Sequence, residues 1–254
     1  MKEASSQSPW LLALESSTPH GGAALLKNGV QADAIRLEEG LRHGRELVSS
    51  AARLLERQYL SPGELRAVAV SEGPGSYTGI RVGVMAAKAL AYGAGIRMAS
   101  VSSLAALAQT AKESGLAANG DTVYALQDAR RDEVYAGEYR ITDGEAIALA
   151  PDAAITPEEA AVRLRALLQS APGTLRLAGS GFTTYRDVLL AANPGAEAML
   201  DAAGDGRVDP SAVGVLGWRQ ILREKTADPM QSQPVYLRRD EGTDWRHDHL
   251  IAPK

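Results

Sequence analysis

A glycine-rich stretch at residues 71–83, SEGPGSYTGIRVG, has residue types that could bind a phosphate. A P-loop needs the spacing G-x-x-x-x-G-K-[ST]. Counted from Gly73, its second glycine falls on Thr78, and no lysine follows. The dinucleotide fingerprint G-x-G-x-x-G fits Gly73 and Gly75 but also meets Thr78 at its third glycine. Pro74 removes a backbone N–H where a phosphate would need a donor. The spacing therefore argues against a phosphate loop.

The same stretch fits a turn from a strand into a helix. Ser76 or Thr78 would cap the helix, since a hydroxyl can accept from the free N–H groups of the first turn. Gly79, Gly83 and Ala87 recur every four residues and would form one smooth helix face. Such a face lets another backbone approach closely. That backbone belongs either to the chain itself or to a partner, and the sequence leaves both open.

Side chains that could act in nucleophilic hydrolysis are present as well. The hydroxyls and candidate bases are those of Ser16, Ser17, Ser76, Ser180, His20 and His43. The G-x-S-x-G elbow is missing, because in AGSGF (178–182) Ser180 directly follows Gly179. With no cysteine in the chain, disulfides, thiolate zinc sites and a cysteine nucleophile are excluded. We therefore do not expect a hydrolase.

Charge and hydropathy restrict the partners. The 254-residue chain has a net charge of −4 and no basic stripe, so we expect no tRNA binding by this chain alone. Its first ten residues, MKEASSQSPW, lack the apolar core of a secretory signal. No apolar run is long enough to cross a membrane. We expect a soluble, cytoplasmic protein.

Hydrophobic periodicity predicts an α/β protein in which one unit, βββαβα, occurs twice. In the first unit the strands are predicted at 10–16, 21–29, 30–39 and 65–71, with helices from His43 and over 78–94. A further strand of the first half is predicted at 97–102, and a helix at 102–114 connects the units. In the second unit the strands are predicted at 122–129, 132–141, 145–150 and 175–181, with helices at 156–170 and 183–193. A last helix is predicted at 209–225. We divide the chain into halves at 1–103 and 104–214, with the end of the chain from about 215 to 254 returning to the first half.

Several segments resemble the TsaB (YeaZ) family, accessory proteins of tRNA threonylcarbamoyladenosine synthesis. The hallmark is GPGSYTGIRVGVMAAKALAYG followed by VSSLAALA, and further matches are LALESST, QDARRDEVYAGEY and PVYLRR, in the family's order over nearly the whole chain. The resemblance implies the actin-like and Hsp70-like ATPase (ASKHA) fold, which is a duplicated βββαβα unit. The repeat inferred from periodicity is the same unit.

The resemblance implies a non-catalytic scaffold. It would support TsaD, which transfers threonylcarbamoyl to adenosine in tRNAs that read codons beginning with A, and it would meet the ATPase TsaE through the TsaB–TsaD complex. TsaD holds a metal through His-x-x-x-His; here Leu47 stands four residues after His43, so we expect no metal and no cofactor in this chain. His247 and His249 form the other close pair, in the terminal tail.

Glu15 departs from the family, which usually has Asp in this first hairpin, where nucleotide-binding members of the fold approach phosphate and magnesium. The alternative function is an ATP-dependent small-molecule kinase of the same fold. It would need a phosphate hairpin with Asp and a glycine-rich adenosine loop, for which LAGSGF at 177–182 is the candidate.

The family's helix contacts imply an interface on the first two helices. These would form a four-helix bundle with the same helices of TsaD or, when the chain is alone, of a second copy. The predicted interface residues are His43, Leu47, Val48, Ala51, Tyr77, Gly79, Arg81, Gly83 and Ala87.

Overall fold

Two mixed β-sheets organise the chain, in a computed structural model that describes residues 8–38 and 43–238. The elements of the first sheet and its helices are β1 (Trp10–Glu15), β2 (Gly22–Lys27), β3 (Val30–Arg36), α1 (His43–Arg57), β4 (Ala67–Gly73), α2 (Tyr77–Ala94) and β5 (Arg97–Ser102), with a 3-10 turn at Pro62–Glu64. The strand order is β3-β2-β1-β4-β5. β1, β2 and β3 are antiparallel, whereas β4 and β5 extend the sheet in parallel with β1.

The second sheet repeats this plan. Its elements are α3 (Ser103–Glu113), β6 (Thr122–Arg130), β7 (Glu133–Thr142), β8 (Glu145–Ala148), β9 (Ala153–Ile155), α4 (Pro157–Ser170), β10 (Leu175–Ala178), α5 (Ser180–Thr184), α6 (Arg186–Ala192), α7 (Glu197–Asp201) and α8 (Pro210–Leu222). The strand order is β10-β6-β7-β8, and β9 pairs with β7. β10 runs parallel to β6, as β4 does to β1.

Both faces of the first sheet are buried, which explains why β1 is an almost unbroken apolar run. Leu12 and Leu14 point into a cluster with α1 and α2, while Leu11 and Ala13 point the other way. The opposite face is covered by α8, which packs on β1, β2, β4 and β5. α3 packs on the second sheet and against α8, so these two helices form the layer between the sheets.

Local sequence signals fix several helix ends. Thr156 caps α4, its hydroxyl accepting from the N–H of Glu159, and the Glu159 carboxylate accepts from the N–H of Thr156. Asp209 caps α8 by accepting from the N–H of Ser211, and Pro210 occupies the first helical position. Gly95 ends α2 in the left-handed conformation, with a φ of 66°.

A terminal segment, residues 227–238, runs across the first half after α8. Its Ala227 N–H donates to the Met98 carbonyl at 2.9 Å and its Val235 N–H to the Glu72 carbonyl at 2.7 Å. At its end, the Arg238 guanidinium reaches the second half. It donates to the Ala129 carbonyl at 2.9 Å and pairs with Glu133 at 2.6 Å. The segment therefore ties β4 and β5 to the β6–β7 hairpin.

The predicted repeat is confirmed, with differences at several elements. The three-residue strand β9 was not predicted, and the helix expected at 183–193 is two short helices, α5 and α6. The last helix ends at Leu222, before the expected 225. His247 and His249 lie outside the described residues. In the described ranges no helix is both long and apolar enough to cross a membrane.

Candidate functional site

A cleft of about 590 Å³ lies between the two halves. Two hairpin turns face it, the β1–β2 turn with Ser17 and His20 and the β6–β7 turn with Asp128 and Arg130. Arg238, from the terminal segment, also lines it. Because hydroxyls, carboxylates and cations all contribute, the lining is polar and carries both signs of charge.

The Glu15 carboxyl is completely buried and accepts hydrogen bonds from the backbone of the first of these turns. Oε1 accepts from the Ser17 N–H at 2.6 Å, the Ser17 hydroxyl at 2.6 Å and the Thr18 N–H at 3.2 Å. Oε2 is also buried. Burial raises the pKa of Glu15, against the opposing effect of hydrogen bonds from the side chains of Ser17 and Ser71 and from the backbone of Ser17 and Thr18.

The glycine-rich stretch packs against this same turn. A β-carbon on Gly75 would meet the Ser17 carbonyl oxygen, one on Gly79 the Ser16 carbonyl oxygen and one on Gly83 the Ser16 hydroxyl, each closer than the 3.0 Å that real β-carbons keep. The Ser76 N–H donates to the Ser17 carbonyl at 2.8 Å. The glycines thus allow the β4–α2 loop and the start of α2 to approach the chain's own first hairpin.

The prediction that the small-residue stripe contacts a partner is therefore wrong. Gly83 and Ala87 are buried, and Ala87 belongs to the core cluster beneath α2. Gly79 abuts Ser16. Leu47 on α1 is also fully buried in that cluster, so it cannot form part of a docking surface. The error has a simple cause, because smoothness of a helix face does not say whose backbone lies against it.

The β6–β7 turn has a corresponding carboxylate. Asp128 Oδ1 accepts from the Arg130 N–H at 2.8 Å, and the Asp128 N–H donates to the Ser180 hydroxyl at 3.2 Å. Arg130, Arg131 and Asp132 all have positive φ values, of 65°, 53° and 56°. The Asp128 carboxylate holds the first of these residues in a conformation that non-glycine residues seldom adopt.

The candidate serine nucleophiles form hydrogen bonds within the fold. The Ser16 hydroxyl donates to the Gly79 carbonyl at 2.9 Å, and that of Ser180 to the Gln127 side chain at 2.6 Å. The Ser76 hydroxyl caps α2 by accepting from the Gly79 N–H at 3.3 Å. No group of three or more potential metal ligands occurs in the described part of the chain.

The proposed adenosine loop, LAGSGF, has a different use. β10 ends at Ala178, and Gly179 and Gly181 pack on the backbone and side chain of Leu126 in β6. A β-carbon on Gly181 would lie 2.8 Å from Leu126 Cγ. These glycines therefore bring α5 against the second sheet, and nothing in their contacts favours the kinase alternative.

The outer face of α1 and α2 exposes several large apolar side chains. The two helices lie side by side on one face of the first sheet. Val48 is 55% exposed, Met85 60%, Tyr92 75% and Tyr77 56%.

Tyr77, at the start of α2, makes two side-chain contacts. Arg81 lies one turn after Tyr77 and donates to its hydroxyl at 2.6 Å. The Tyr77 ring packs on Tyr236 of the terminal segment, with the ring centroids 5.1 Å apart. Sequence reasoning missed Met85 and Tyr92, although their spacing from Arg81 along the helix could have indicated them.

The remaining predicted interface residues differ in how far their side chains are exposed. Val48, Tyr77 and Arg81 are exposed, and Ala51 is partly buried. His43 begins α1, and its side chain lies outside those that the structure describes.

Comparison with known proteins identifies the family. The family model described as TsaD, tRNA N6-adenosine threonylcarbamoyltransferase, matches residues 39–188. The tRNA threonylcarbamoyladenosine biosynthesis protein TsaB of Haemophilus influenzae is 29% identical, covering 91% of this chain and 94% of the relative. TsaB of Escherichia coli is 31% identical, covering 90% and 94%.

Solved structures agree. YeaZ from Pseudomonas aeruginosa superposes with a TM-score of 0.71 at 27% identity, covering 90% of this chain and 99% of that one. A protein described as similar to peptidase YEAZ, also from Pseudomonas aeruginosa, gives 0.74 at 28% identity with the same coverage. The expected actin-like and Hsp70-like ATPase fold is confirmed. The chain belongs to the TsaB (YeaZ) family of tRNA threonylcarbamoyladenosine biosynthesis proteins.

Proposed function

We propose that this chain is a non-catalytic subunit that supports TsaD in threonylcarbamoyl transfer to tRNA adenosine. The relatives named TsaB place the family in this pathway. The observation that carries the proposal for this chain is the apolar outer face of α1 and α2, with Val48, Met85 and Tyr92 exposed. TsaD would cover this face in the complex, and a second copy of the chain would cover it in a homodimer. TsaE would join through the TsaB–TsaD complex.

The chemistry of this face suits a protein partner. Burying a valine, methionine or tyrosine side chain removes apolar surface from water and stabilises a complex by about 1.5–3 kcal/mol for a fully buried side chain. An interface of ordinary size buries about 800 Å² on each partner, which the sides of two helices can provide. Tyr77 and Arg81 at one end of α2 add the residue types enriched at binding hot spots.

The hydrogen bonds of the polar side chains at the cleft support a non-catalytic role. The hydroxyls of Ser16 and Ser180 are engaged in bonds that hold loops together. The Glu15 carboxyl is buried against backbone N–H groups. These groups therefore serve the architecture of the cleft, while the transfer chemistry would belong to TsaD.

A charge placed on the docking face tests the proposal. We expect Met85→Asp to weaken both TsaD binding and self-association by at least about tenfold, because an unpaired carboxylate would be buried in an apolar interface. The matched control is Val162→Asp on α4, where the valine is 65% exposed on the second half. Size-exclusion chromatography with light scattering measures the homodimer, and co-purification with TsaD measures the heterodimer. Unchanged binding by a folded Met85→Asp protein would overturn the assignment of this face.

Activity gives a separate test. We expect the isolated chain to leave tRNA unmodified when supplied with threonylcarbamoyl-adenylate, and to stimulate modification when TsaD and TsaE are added. Met85→Asp should lose the stimulation, whereas Val162→Asp should keep it. Modification of tRNA by the chain alone would contradict the non-catalytic role.

A further inference from the structure

The ATPase fold implies a nucleotide in the cleft, with its phosphates at the first hairpin. Successive backbone N–H groups in a turn form a concave donor site for an anion. Ser17 and Thr18 supply two such groups at the edge of the cleft. Both already donate to one oxygen of Glu15, and so does the Ser17 hydroxyl. The donors that would hold a phosphate are therefore occupied.

We propose that the Glu15 carboxyl is an internal occupant of the anion-binding turn and excludes phosphate-bearing ligands, such as nucleotides and pyrophosphate, from the first hairpin. A phosphate could bind there only by displacing a group that is covalently attached to the same turn. Because the carboxyl is fully buried, its displacement also requires the turn to open. The residues present do not fit the nucleotide that the fold implies.

The glycine-rich loop holds this turn closed. The Ser17 carbonyl accepts from the Ser76 N–H at 2.8 Å, and the Ser16 hydroxyl donates to the Gly79 carbonyl at 2.9 Å. Gly75 and Gly79 leave no space between the loop and the turn. Moving the Glu15 carboxyl out of its site would therefore break contacts on both sides of the turn.

The second hairpin also has a carboxylate on one of its backbone N–H groups. Asp128 Oδ1 accepts from the Arg130 N–H at 2.8 Å, and its other carboxylate oxygen lies 3.4 Å from the Arg130 guanidinium. A carboxylate of the chain thus sits on a backbone donor in each of the two turns that face the cleft. The parallel is partial, because Asp128 accepts from one backbone N–H and from the Tyr185 hydroxyl, whereas Glu15 accepts from two backbone N–H groups and a hydroxyl.

Nuclear magnetic resonance of the ¹⁵N-labelled full chain tests the inference, with pyrophosphate and Mg-ADP as probes. In the wild-type protein we expect the amide signals of Ser17 and Thr18 to stay unmoved by either probe up to about 10 mM. In Glu15→Ala the two N–H groups lose their internal acceptor, so we expect their signals to shift with pyrophosphate in a saturable way. The matched control is Glu64→Ala, because Glu64 accepts from the Ser61 N–H in an exposed turn.

Saturable shifts of Ser17 and Thr18 in the wild-type protein would overturn the inference, and this measurement does not depend on how any variant folds. A folded Glu15→Ala protein without a pyrophosphate response would also overturn it. A response of Glu64→Ala equal to that of Glu15→Ala would show a non-specific effect and refute the role of Glu15. None of these outcomes depends on TsaD binding, so the proposed function is tested separately.

Discussion

A methyl group added at Gly79 would show which surface the small residues of α2 face. In Gly79→Ala the new β-carbon would be forced against the Ser16 carbonyl oxygen and would lie 3.2 Å from both the Ser16 carbonyl carbon and Ser76 Cβ. A backbone carbonyl cannot turn aside as the end of a side chain can. Overpacking costs typically 1–3 kcal/mol, and the higher helix propensity of alanine returns at most about 1 kcal/mol. We expect a net loss of about 2 kcal/mol, which lowers the Tm by roughly 4–8 °C for a chain of this size.

Gly93→Ala is the matched control on the same helix. A β-carbon at Gly93 would meet nothing within 4 Å, so only the propensity gain remains. We expect an unchanged or slightly higher Tm, by up to about 4 °C. Thermal and urea unfolding followed by circular dichroism measure both variants. The reasoning would be refuted if Gly79→Ala melted with the wild type and lost only TsaD binding, since the stripe would then face a partner.

Three other predictions follow from the buried acids and the charge. The pKa of Glu15 is raised in the folded protein, so the stabilisation that its protonated form gives is complete below pH 4.5 and is lost as the pH rises through the higher folded pKa. Because a glutamine does not ionise, the stability of Glu15→Gln relative to the wild type should increase between pH 4.5 and 7.5, as measured by urea unfolding. Asp209→Ala should lose about 1–2 kcal/mol because it removes the α8 cap. Arg36→Ala keeps the cap and breaks a partly exposed pair with Asp209 and a hydrogen bond to Gln31, so it should lose less than about 1 kcal/mol in the same assay. Filter binding at about 150 mM salt should show no micromolar affinity for tRNA, and such an affinity would contradict the interpretation of the net charge of −4.

Periodicity predicted the long elements well because burial dictates their patterns. Leu47, Leu54 and Leu55 form the stripe that made α1 recognisable, and all three are buried against the first sheet. The capping box of Thr156 and Glu159 marked the start of α4. β9 could not be predicted, since three residues are too few for a pattern and its pairing with β7 is a tertiary contact.

The candidate site was harder to predict, because its character depends on what each group touches. The sequence showed a carboxylate at position 15 but not that its Oε1 accepts three hydrogen bonds from Ser17 and Thr18. It showed the small residues of α2 but not that Ser16 lies against them. The exposed face was partly predicted through Val48, Tyr77 and Arg81, whereas Met85 and Tyr92 were missed although their spacing from Arg81 places them on the same side of α2.

The terminal segment has a mechanical consequence for the pair of halves. The chain passes between them at the junction of β5 and α3 and again before α8. The packed layer of α3 and α8 joins the halves along one side, through a single hydrophobic core and the ion pairs of Arg219 and Arg223 with Glu145. Arg238 adds an attachment at the cleft, through Ala129 and Glu133. Because this attachment lies away from the helix layer, it should oppose any opening of the cleft that leaves the helix layer intact.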